Sequence, residues 1–399
     1  MRPAIAVRLL RSVERGGRPA RLFSPAAAVR GLSGLHELRR VGSQLAHAEE
    51  QLTAARTAVY RDIWTTAAAR AGAHVRETEG GFLQVSRGRA TTLVRENLVE
   101  LDTPAVLELT GDRVAANAYL ARGGLPVTDS LGFTLADPRP ALDFLRTHGR
   151  CVVKPAYGTG AGAGVTCDVQ TLEDLVRAAL SAVRYCPELV IERQLEGDEH
   201  RMLVLDGAVV GAVRRRPPSV VGDGSSTVTD LVLAENRRRL AAGGHEGLFL
   251  LQLGLDACLT LRRQGLSPEA VPGDGQRVLV ARAVNTGAAA DCEAVQPSPA
   301  LAADAVAATR ALGLRLASVE IATPQPDLGT AAPGAGVIEV NSTPGLTYHY
   351  HVRDPAGVQP VADAVLDVLL RERETVRVPR LRVSGPGGGS GATTSDDAA

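Results

Sequence analysis

The 399-residue chain has an ordinary globular balance of 45% hydrophobic and 22% charged residues, and its length suits about two or three structural units. Its 44 basic and 44 acidic residues give a formal net charge of +0, so no overall charge favours nucleic acid or a membrane surface as a partner. Five scattered cysteines without a CxxC pair predict neither a disulfide framework nor a zinc site, and they favour a reducing, cytoplasmic location.

The two ends of the chain differ in composition from its middle. Residues 1–40 are rich in arginine and nearly free of acids, which predicts a basic, poorly ordered leader, with a transit peptide as the alternative. Residues 384–399 are mostly small and polar and cannot bury apolar surface, so we expect a disordered tail. No apolar run approaches the length needed to span a bilayer, and we expect no membrane partner.

Residues 41–104 predict a leading region of helix and hairpin. Apolar residues recur at helical spacing from Leu35 to Ala73, which indicates one or two amphipathic helices. Residues 81–97 alternate apolar and polar side chains around a glycine turn, a pattern typical of a hairpin. The next segment, 105–150, contains a predicted helix, a Gly-Gly stop and a short strand, and we interpret it as a linking unit before the main domain.

Lys154, the one lysine of the chain, lies on a predicted strand just before a glycine-rich loop. Gly158, Gly160, Gly162 and Gly164 alternate in that loop, so their backbone N–H groups can approach phosphate oxygens without interference from Cβ atoms. No GK[ST] follows and no helix opens there, which excludes a Walker A motif. We interpret Lys154 as a phosphate-binding ammonium; the alternative is a chance survivor of arginine-biased coding beside a mobile hairpin tip.

Helices and strands alternate through the rest of the chain. The pattern predicts a helix, a strand, a hairpin that turns at Asp206 and Gly207, a helix from Val228, polar loops and a strand from Gln276. The last block predicts a helix, a strand, a Gly/Pro-rich loop, a second strand and a closing helix. These elements indicate an α/β (α+β) fold without an internal repeat.

Two acids and an amide near the C-terminal end form a candidate metal site. Glu320 lies in the apolar strand LASVEIA, and Glu339 and Asn341 occupy alternate positions of VIEVN, so these two project from one face of their strand. Oxygen ligands of this kind suit Mg²⁺, which is usually held by one or two carboxylates together with nucleotide phosphates. Solvated acids on an edge strand are the alternative. His349 follows closely, and there we expect a structural role before a catalytic one.

In this order the lysine, the glycine loop, the arginines and the acids resemble the ATP-grasp superfamily. The segments GDEHRMLVLDG, RRRPPSVVGDGSSTVTDLVLAENRRR and VIEVNSTPGLTYH resemble the ATP-grasp domain of cyanophycin synthetases and of the bifunctional glutathione-synthesising enzymes. The resemblance covers about residues 105–371. It implies an ATP-grasp fold in which a glycine-loop subdomain, 151–210, and a metal-binding subdomain, 211–371, grip ATP between them.

The resemblance also implies roles for individual residues. Lys154 and Arg113 would contact the nucleotide, and the glycine loop would lie over its β- and γ-phosphates. The adenine hinge and ribose site would be made of Glu192, Arg193, Gln194, Leu195 and Glu199. Arg215 and Arg201 would be the catalytic cations that stabilise the transferring phosphoryl group. One or two Mg²⁺ ions, with Mn²⁺ as an alternative, would be held by Glu320, Glu339 and Asn341.

The implied activity is an ATP-dependent carboxylate–amine ligase that forms an amide or peptide bond through an acyl phosphate. Its partners would be small-molecule carboxylate and amine substrates, with a homodimer left open, and the leading region would supply part of the substrate pocket. The alternatives are an ATP-grasp phosphotransferase and a non-catalytic nucleotide-binding partner protein. A hydrolysis assay on protein that binds ATP distinguishes the last of these.

Three departures from the family pattern bear on the finer assignment. Arg113 stands where the family often has a lysine, and Asn285, a candidate substrate or metal contact, matches an Asn-x-Ser-Thr-Gly-Gly pattern only loosely. No Mur-ligase-like domain follows in this sequence, so we do not expect cyanophycin synthesis by the usual two-ligase route from this chain alone.

Overall fold

The computed structural model describes residues 25–159, 162–287 and 289–375. The helices described are α1 (Pro25–Arg70), α2 (Pro104–Gly111), α3 (Arg113–Arg122), α4 (Arg139–His148), α5 (Leu172–Ala182), α6 (Val228–Ala242), α7 (Leu255–Arg263), α8 (Pro299–Ala311) and α9 (Val361–Thr375). The strands are β1 (His74–Glu77), β2 (Leu83–Arg87), β3 (Ala90–Val94), β4 (Ser130–Thr134), β5 (Cys151–Pro155), β6 (Thr166–Val169), β7 (Glu188–Arg193), β8 (Asp198–Leu205), β9 (Ala208–Arg215), β10 (Ser219–Val221), β11 (Arg277–Leu279), β12 (Cys292–Ala294), β13 (Leu316–Thr323) and β14 (Gly336–Asn341).

The strands of the described residues pair antiparallel in four sheets, with the orders β1-β2-β3, β4-β7-β5-β6, β12-β9-β8-β13-β14 and β10-β11. This mixed arrangement of helices and antiparallel sheets confirms the α/β (α+β) class. None of the described helices is long and apolar enough to cross a membrane.

In the leading region, α1 packs on the sheet β1-β2-β3 and on α9. Tyr60, Ile63, Trp64 and Ala67 recur at helical spacing on α1 and are all buried, so one apolar stripe of the helix faces this core. The Trp64 indole donates a hydrogen bond of 2.8 Å to the carbonyl of Glu96, which satisfies its polar atom inside the apolar cluster.

The glycine-loop sheet, β4-β7-β5-β6, is covered by α4 and α5, whose alanines and leucines pack against its apolar face. A capping box begins α5, because the Thr171 hydroxyl accepts from the Asp174 backbone N–H and the Asp174 carboxylate accepts from Thr171. The strand, glycine loop and second strand predicted around Lys154 are confirmed as β5 and β6.

The central sheet, β12-β9-β8-β13-β14, separates two apolar layers. Val319 and Ile321 of β13 face α8, whereas Leu316, on the opposite face, packs with the core that holds α1 and α9. Residues at alternate positions share a face of a strand, so Glu320 lies on the same side as Leu316. The predicted β8–β9 hairpin is confirmed, and its turn residues Asp206 and Gly207 have φ values of +48° and +79°, as a type I′ turn requires.

The structure corrects several predictions. The polar loops expected after α6 are wrong, because Leu255–Arg263 forms α7 and buries Leu259 and Leu261. The proposed subdomain boundary at residues 210 and 211 falls inside β9, and β4 pairs with β7, so strand pairing assigns the glycine-loop sheet to residues 130–193. Helix α1 begins at Pro25, within the leader predicted to be poorly ordered, whereas residues 1–24 and the predicted tail 384–399 lie outside the described residues.

Candidate active site

A cavity of about 1060 Å³ lies between the glycine-loop sheet and the central sheet, and α1 closes one of its ends. The predicted site residues that line it are Arg113, Lys154, Gly162, Glu192, Arg193, Gln194, Leu195, Glu199, Arg201, Arg215, Glu320, Glu339 and Asn341. Gly158 and Gly164 do not line the cavity, and Gly160 lies outside the described residues. The structure therefore brings most of the predicted residues to one place.

On the glycine-loop side, the Lys154 ammonium is 2.8 Å from Glu192 Oε2. The two residues lie on the adjacent strands β5 and β7, and both side chains are almost completely buried. The second oxygen of Glu192 is buried without a hydrogen-bond partner among the described residues. The Thr128 hydroxyl donates to the Arg193 carbonyl over 2.8 Å and so fixes the chain just beyond Glu192. A free acceptor therefore faces the predicted adenine hinge.

On the opposite side, arginines and acids of the central sheet form a charge cluster. Arg201 Nη1 donates to Glu320 Oε1, and Arg215 Nη2 donates to Glu199 Oε1 and lies 2.9 Å from Glu320 Oε2. Strand register explains these contacts, because Glu320 is paired with Arg201 and Glu199 with Arg215 across neighbouring strands. The predicted ribose ligand Glu199 thus binds Arg215 in this structure.

The pKa values of the two acids of this cluster are shifted in opposite directions. Burial raises the pKa of Glu199 to about 7, with the nearby charge of Glu320 adding to the rise and Arg215 opposing it. Burial would also raise the pKa of Glu320, but the charges of Arg215 and Arg201 outweigh this effect and lower it. Glu320 therefore remains the anion that holds both guanidinium groups.

The candidate metal ligands face the same cavity. Glu320 and Glu339 are directly opposite on β13 and β14, and Asn341 Nδ2 donates to Glu320 Oε1 over 3.2 Å. Glu339 accepts from Arg113 Nη2 at 2.8 Å. No group of three or more His, Cys, Asp or Glu suitable for a metal ion occurs in the described part of the chain, so two carboxylates and an amide are the available donors. This donor set fits Mg²⁺ that completes its shell with phosphate and water oxygens.

The glycine loop reaches the charge cluster through Asn285. Asn285 Oδ1 accepts from Arg215 Nη1 at 3.2 Å. Gly162 has φ +77°, and a Cβ atom there would lie 2.6 Å from Asn285 Nδ2, which only glycine avoids. Asn285, the loosely matched position of the sequence pattern, therefore connects the loop to an arginine of the opposite sheet.

Sequence reasoning missed Tyr348. Its ring lies under both guanidinium groups, with centroid distances of 4.7 Å to Arg201 Cζ and 5.0 Å to Arg215 Cζ. Phe249 packs behind it at 5.3 Å between ring centroids. An aromatic residue in the loop after a predicted metal strand, in a chain with 3% aromatic residues, is the signal that could have drawn attention to it.

His349, the neighbour of Tyr348, is fully buried and faces away from the cavity lining. Burial lowers its pKa to about 3, so its imidazole is neutral at physiological pH. Its Nδ1 lies 3.3 Å from Gln359 Oε1 at the start of α9. These contacts agree with the structural role expected from the sequence.

Comparisons with known proteins give relatives of two kinds. A cyanophycin synthetase of Nostoc sp. is 29% identical over 289 residues, which cover 71% of this chain and 31% of that protein. The glutathione biosynthesis bifunctional protein GshAB of Mannheimia succiniciproducens is 29% identical over 259 residues, or 62% of this chain and 33% of that protein. No family model matches the sequence.

The chain is thus similar in sequence to these cyanophycin synthetase and GshAB proteins. It spans about a third of the length of the curated relatives it matches. Among solved structures, a bifunctional glutathione synthetase from Pasteurella multocida matches 75% of this chain and 42% of its own, with 25% identity and a TM-score of 0.47. D-alanine–D-alanine ligase from Bacillus anthracis matches 67% of this chain and 69% of its own, with 16% identity and a TM-score of 0.41.

The leading region also takes part in the cavity. Arg56 and Tyr60 of α1 and Asn97 of the following loop line it. The Tyr60 hydroxyl accepts from the Leu346 backbone N–H over 3.2 Å, and Asn97 Nδ2 donates to the Thr343 carbonyl over 2.6 Å. Both contacts attach the leading region to the loop that follows the metal strand β14.

Proposed function

We propose that this chain is an ATP-dependent carboxylate–amine ligase that forms an amide or peptide bond on an amino acid or small peptide. The supporting observation is one cavity in which the Lys154–Glu192 pair of one sheet faces the Arg201–Arg215–Glu320 cluster of the other. The relatives, by their names, make cyanophycin or glutathione, and they support a ligase in the same broad class.

Unpartnered buried atoms support ATP as the nucleotide. The free oxygen of Glu192 suits the exocyclic amine of adenine, which is a donor. The Nε atoms of Arg113, Arg201 and Arg215 are buried without acceptors among the described residues. The phosphate oxygens of ATP would accept hydrogen bonds from them. The adenine hinge then comprises residues 192–195, and Gly158, Gly160, Gly162 and Gly164 belong to the loop over the phosphates. Glu199 would contribute to nucleotide binding indirectly, because its carboxylate orients Arg215.

Glu320, Glu339 and Asn341 would hold Mg²⁺, with one or two ions, or Mn²⁺, consistent with the donors. The ion supplies neutralisation of charge on the transferring phosphoryl group. Arg201 and Arg215 stabilise the same charge from the side of Tyr348. Because both arginines already bind Glu320, they are held at the cavity wall before the nucleotide binds.

The reaction would proceed in two displacements. A substrate carboxylate oxygen attacks the γ-phosphorus, the bond from that phosphorus to the β–γ bridging oxygen breaks, and ADP leaves with the bonding pair. The amine nitrogen then attacks the acyl carbon, inorganic phosphate leaves, and the amine proton passes to solvent. Arg201 and Arg215 would bind the acyl phosphate between these steps.

The test is ADP release from purified protein with Mg·ATP and a matrix of amino acids and small peptides offered as acid and amine. We expect stimulation by a subset, loss of ADP release on chelation of Mg²⁺, and at least a hundredfold lower rate in Glu339→Gln, because this removes a charged ligand. Asp143→Asn, which breaks only the exposed pair with Arg146, is the matched control. ATP bound tightly by calorimetry with no ADP from any combination would leave a non-catalytic nucleotide-binding protein.

Hydroxylamine separates the ligase from a phosphotransferase. It converts an acyl phosphate into a hydroxamate and leaves a stable phosphoester unchanged. A hydroxamate that depends on the acid alone supports the ligase, and a phosphorylated product that resists hydroxylamine contradicts it.

The cysteines are all free thiols, four of them buried, which supports a reducing, cytoplasmic location. Small-molecule substrates are proposed as the partners, and a homodimer is left to a direct measurement of mass.

A further inference from the structure

The two ends of the cavity differ in chemistry. The end formed by the central sheet carries the charges of Arg201, Arg215 and Glu320. The end formed by α1 and the segment 248–252 is predominantly apolar. The apolar side chains that line this end are Leu45, Leu52, Leu248, Phe249 and Leu250. We call it the α1 end.

Among the described side chains, Arg56 is the charged residue that α1 contributes to this lining. Its Nε donates to Glu96 Oε2 over 2.7 Å, its Nη2 lies 3.4 Å from Asn97 Oδ1, and its guanidinium lies over the Tyr60 ring at 5.7 Å. These contacts hold the guanidinium in place while its Nη1 group has no partner among the described residues. Its side chain remains 48% exposed, so a ligand can reach it.

The α1 end adjoins the reaction centre. Tyr60 binds the backbone of Leu346, and Asn97 binds the carbonyl of Thr343, in the loop directly after the metal strand β14. A substrate held here would lie next to Glu320 and Glu339 and would leave their carboxylates available to the metal ion. Arg201 and Arg215 of the central sheet are held by Glu320 and Glu199 on the side where we place the γ-phosphate, so the acid substrate belongs on that side.

We infer that the α1 end binds the amine substrate, and that this substrate is an α-amino acid or peptide with an apolar side chain whose unreacted carboxylate pairs with Arg56. The inference rests on the proposed ligase function. The activated carboxylate lies at the γ-phosphate, and we assign the carboxylate bound by Arg56, at the other end of the cavity, to the amine component. The described side chains of α1 and of 248–252 that line this end include no carboxylate, and its leucines and phenylalanine favour an apolar side chain over a cationic one.

Calorimetry with the Mg·ADP-loaded protein tests this without turnover. Leucine, leucinamide and arginine are titrated into the native protein and into Arg56→Gln, Arg56→Lys and Arg61→Gln. We expect leucine to bind at least tenfold more tightly than leucinamide or arginine. Arg56→Gln should weaken leucine about tenfold but leave leucinamide unchanged, and Arg56→Lys should restore part of the loss because it keeps the charge.

Arg61→Gln is the matched control, because Arg61 lies on the same helix, is also 48% exposed and is paired with Glu77 outside this cavity. Equal losses in Arg56→Gln and Arg61→Gln, equal binding of leucine and leucinamide, or arginine bound as well as leucine would each overturn the inference. Absence of binding by any of the three ligands, with ADP still bound, would overturn it as well.

The failures of the two proposals are distinguishable. If leucine binds through Arg56 but no substrate pair gives ADP release, the proposed amine site stands and the proposed ligase function is wrong. ADP release stimulated by a cationic or acidic amine and unaffected by Arg56→Gln would keep the ligase and remove this substrate class. A third variant, Leu52→Glu, should raise the affinity for arginine several-fold, because it adds a carboxylate to the lining of this end.

Discussion

Lys154 and Glu192 form an ion pair of 2.8 Å that links two neighbouring strands, with side-chain exposures of 6% and 3%. Removing one partner of a buried pair leaves an uncompensated charge, which costs about 3–5 kcal/mol. We therefore expect Lys154→Met to lower the free energy of unfolding by about that amount in urea denaturation. Breaking the exposed Asp143–Arg146 pair by Asp143→Asn should change it by about 1 kcal/mol or less.

The same position tests why a lysine is kept in an arginine-rich chain. Lys154→Arg retains the charge, but its larger planar group does not fit the closed space beside Glu192. We expect a smaller loss of stability than in Lys154→Met, about 1–3 kcal/mol, together with a loss of ATP affinity measured by calorimetry. Unchanged affinity in Lys154→Arg would mean that any cation serves at this site.

Tyr348 is predicted to position Arg201 and Arg215 for phosphoryl transfer. Each cation–π contact is worth about 0.5–2 kcal/mol, so Tyr348→Leu should lower kcat about tenfold or more, whereas Tyr348→Phe keeps the ring and should stay within about threefold. Tyr119→Leu removes an exposed ring beside Arg122 and serves as the control. A loss of stability in Tyr348→Leu with unchanged kcat would contradict the positioning role.

Alanine substitutions at Gly162 and Gly158 distinguish the effect of backbone strain from the effect of contact with Asn285. Both have φ near +75°, but a Cβ at Gly158 meets nothing within 4 Å, whereas one at Gly162 meets Asn285 Nδ2 at 2.6 Å. Each alanine substitution should cost about 1 kcal/mol of stability, since both positions favour glycine. Gly162→Ala should also lower kcat because it displaces Asn285 from Arg215. Equal kcat in the two variants would show that the contact does not affect the reaction.

Glu199 should make stability depend on pH near neutrality. Its pKa of about 7 in the folded state lies above the value of about 4.3 in an unfolded chain, so the folded state keeps a proton that the unfolded state releases. Its contribution is therefore present below about pH 4 and is lost as the pH rises through 7. The stability of the native protein relative to Glu199→Gln should fall by about 3 kcal/mol between about pH 4.5 and 8 in urea denaturation.

A comparison with Glu173→Gln controls for this pH effect. Glu173 forms an exposed pair with Arg177 on α5, with both side chains 55% exposed, so its stability difference from the native protein should stay nearly constant over the same range. A flat difference for Glu199→Gln as well would mean that Arg215 keeps Glu199 ionised throughout. The buried histidines are present in the native protein and in both variants, so the effect of their titration cancels in each stability difference.

The sequence allowed the local elements to be predicted wherever their periodicity was strong. Helix α8 and strands β13 and β14 follow directly from apolar spacing, whereas α7 was missed because glycines and polar residues flank its short apolar pattern. The acids of the site were found from their apolar surroundings. Their ionic partners were not, since the contact of Glu199 with Arg215 depends on hairpin register, and that of Glu320 with Arg201 on the pairing of β8 with β13.

Tyr348 was missed, and Asn285 was matched only loosely, for a related physical reason. Each lies in a short 3₁₀ helix, Leu346–His349 or Val284–Thr286, which is too brief for sequence periodicity to fix the direction of a side chain. Their importance comes from contacts with residues that are distant in the chain, Arg201 at Tyr348 and Gly162 at Asn285. Such contacts are set by the packing of whole elements, so they become visible only when the sheets are assembled.

The placement of the reactive charges on strands β8, β9, β13 and β14 has a consequence for how such a protein can diversify. A shift of one residue in β13 would turn Glu320 into the core and Val319 into the cavity, so the chemistry tolerates little change in the sheet. Leu52 and Arg56, which line the cavity from outside the buried stripe of α1, carry no comparable constraint. Descendants of one ancestral gene could therefore acquire new substrates by exchanging α1 side chains while inheriting the same reaction.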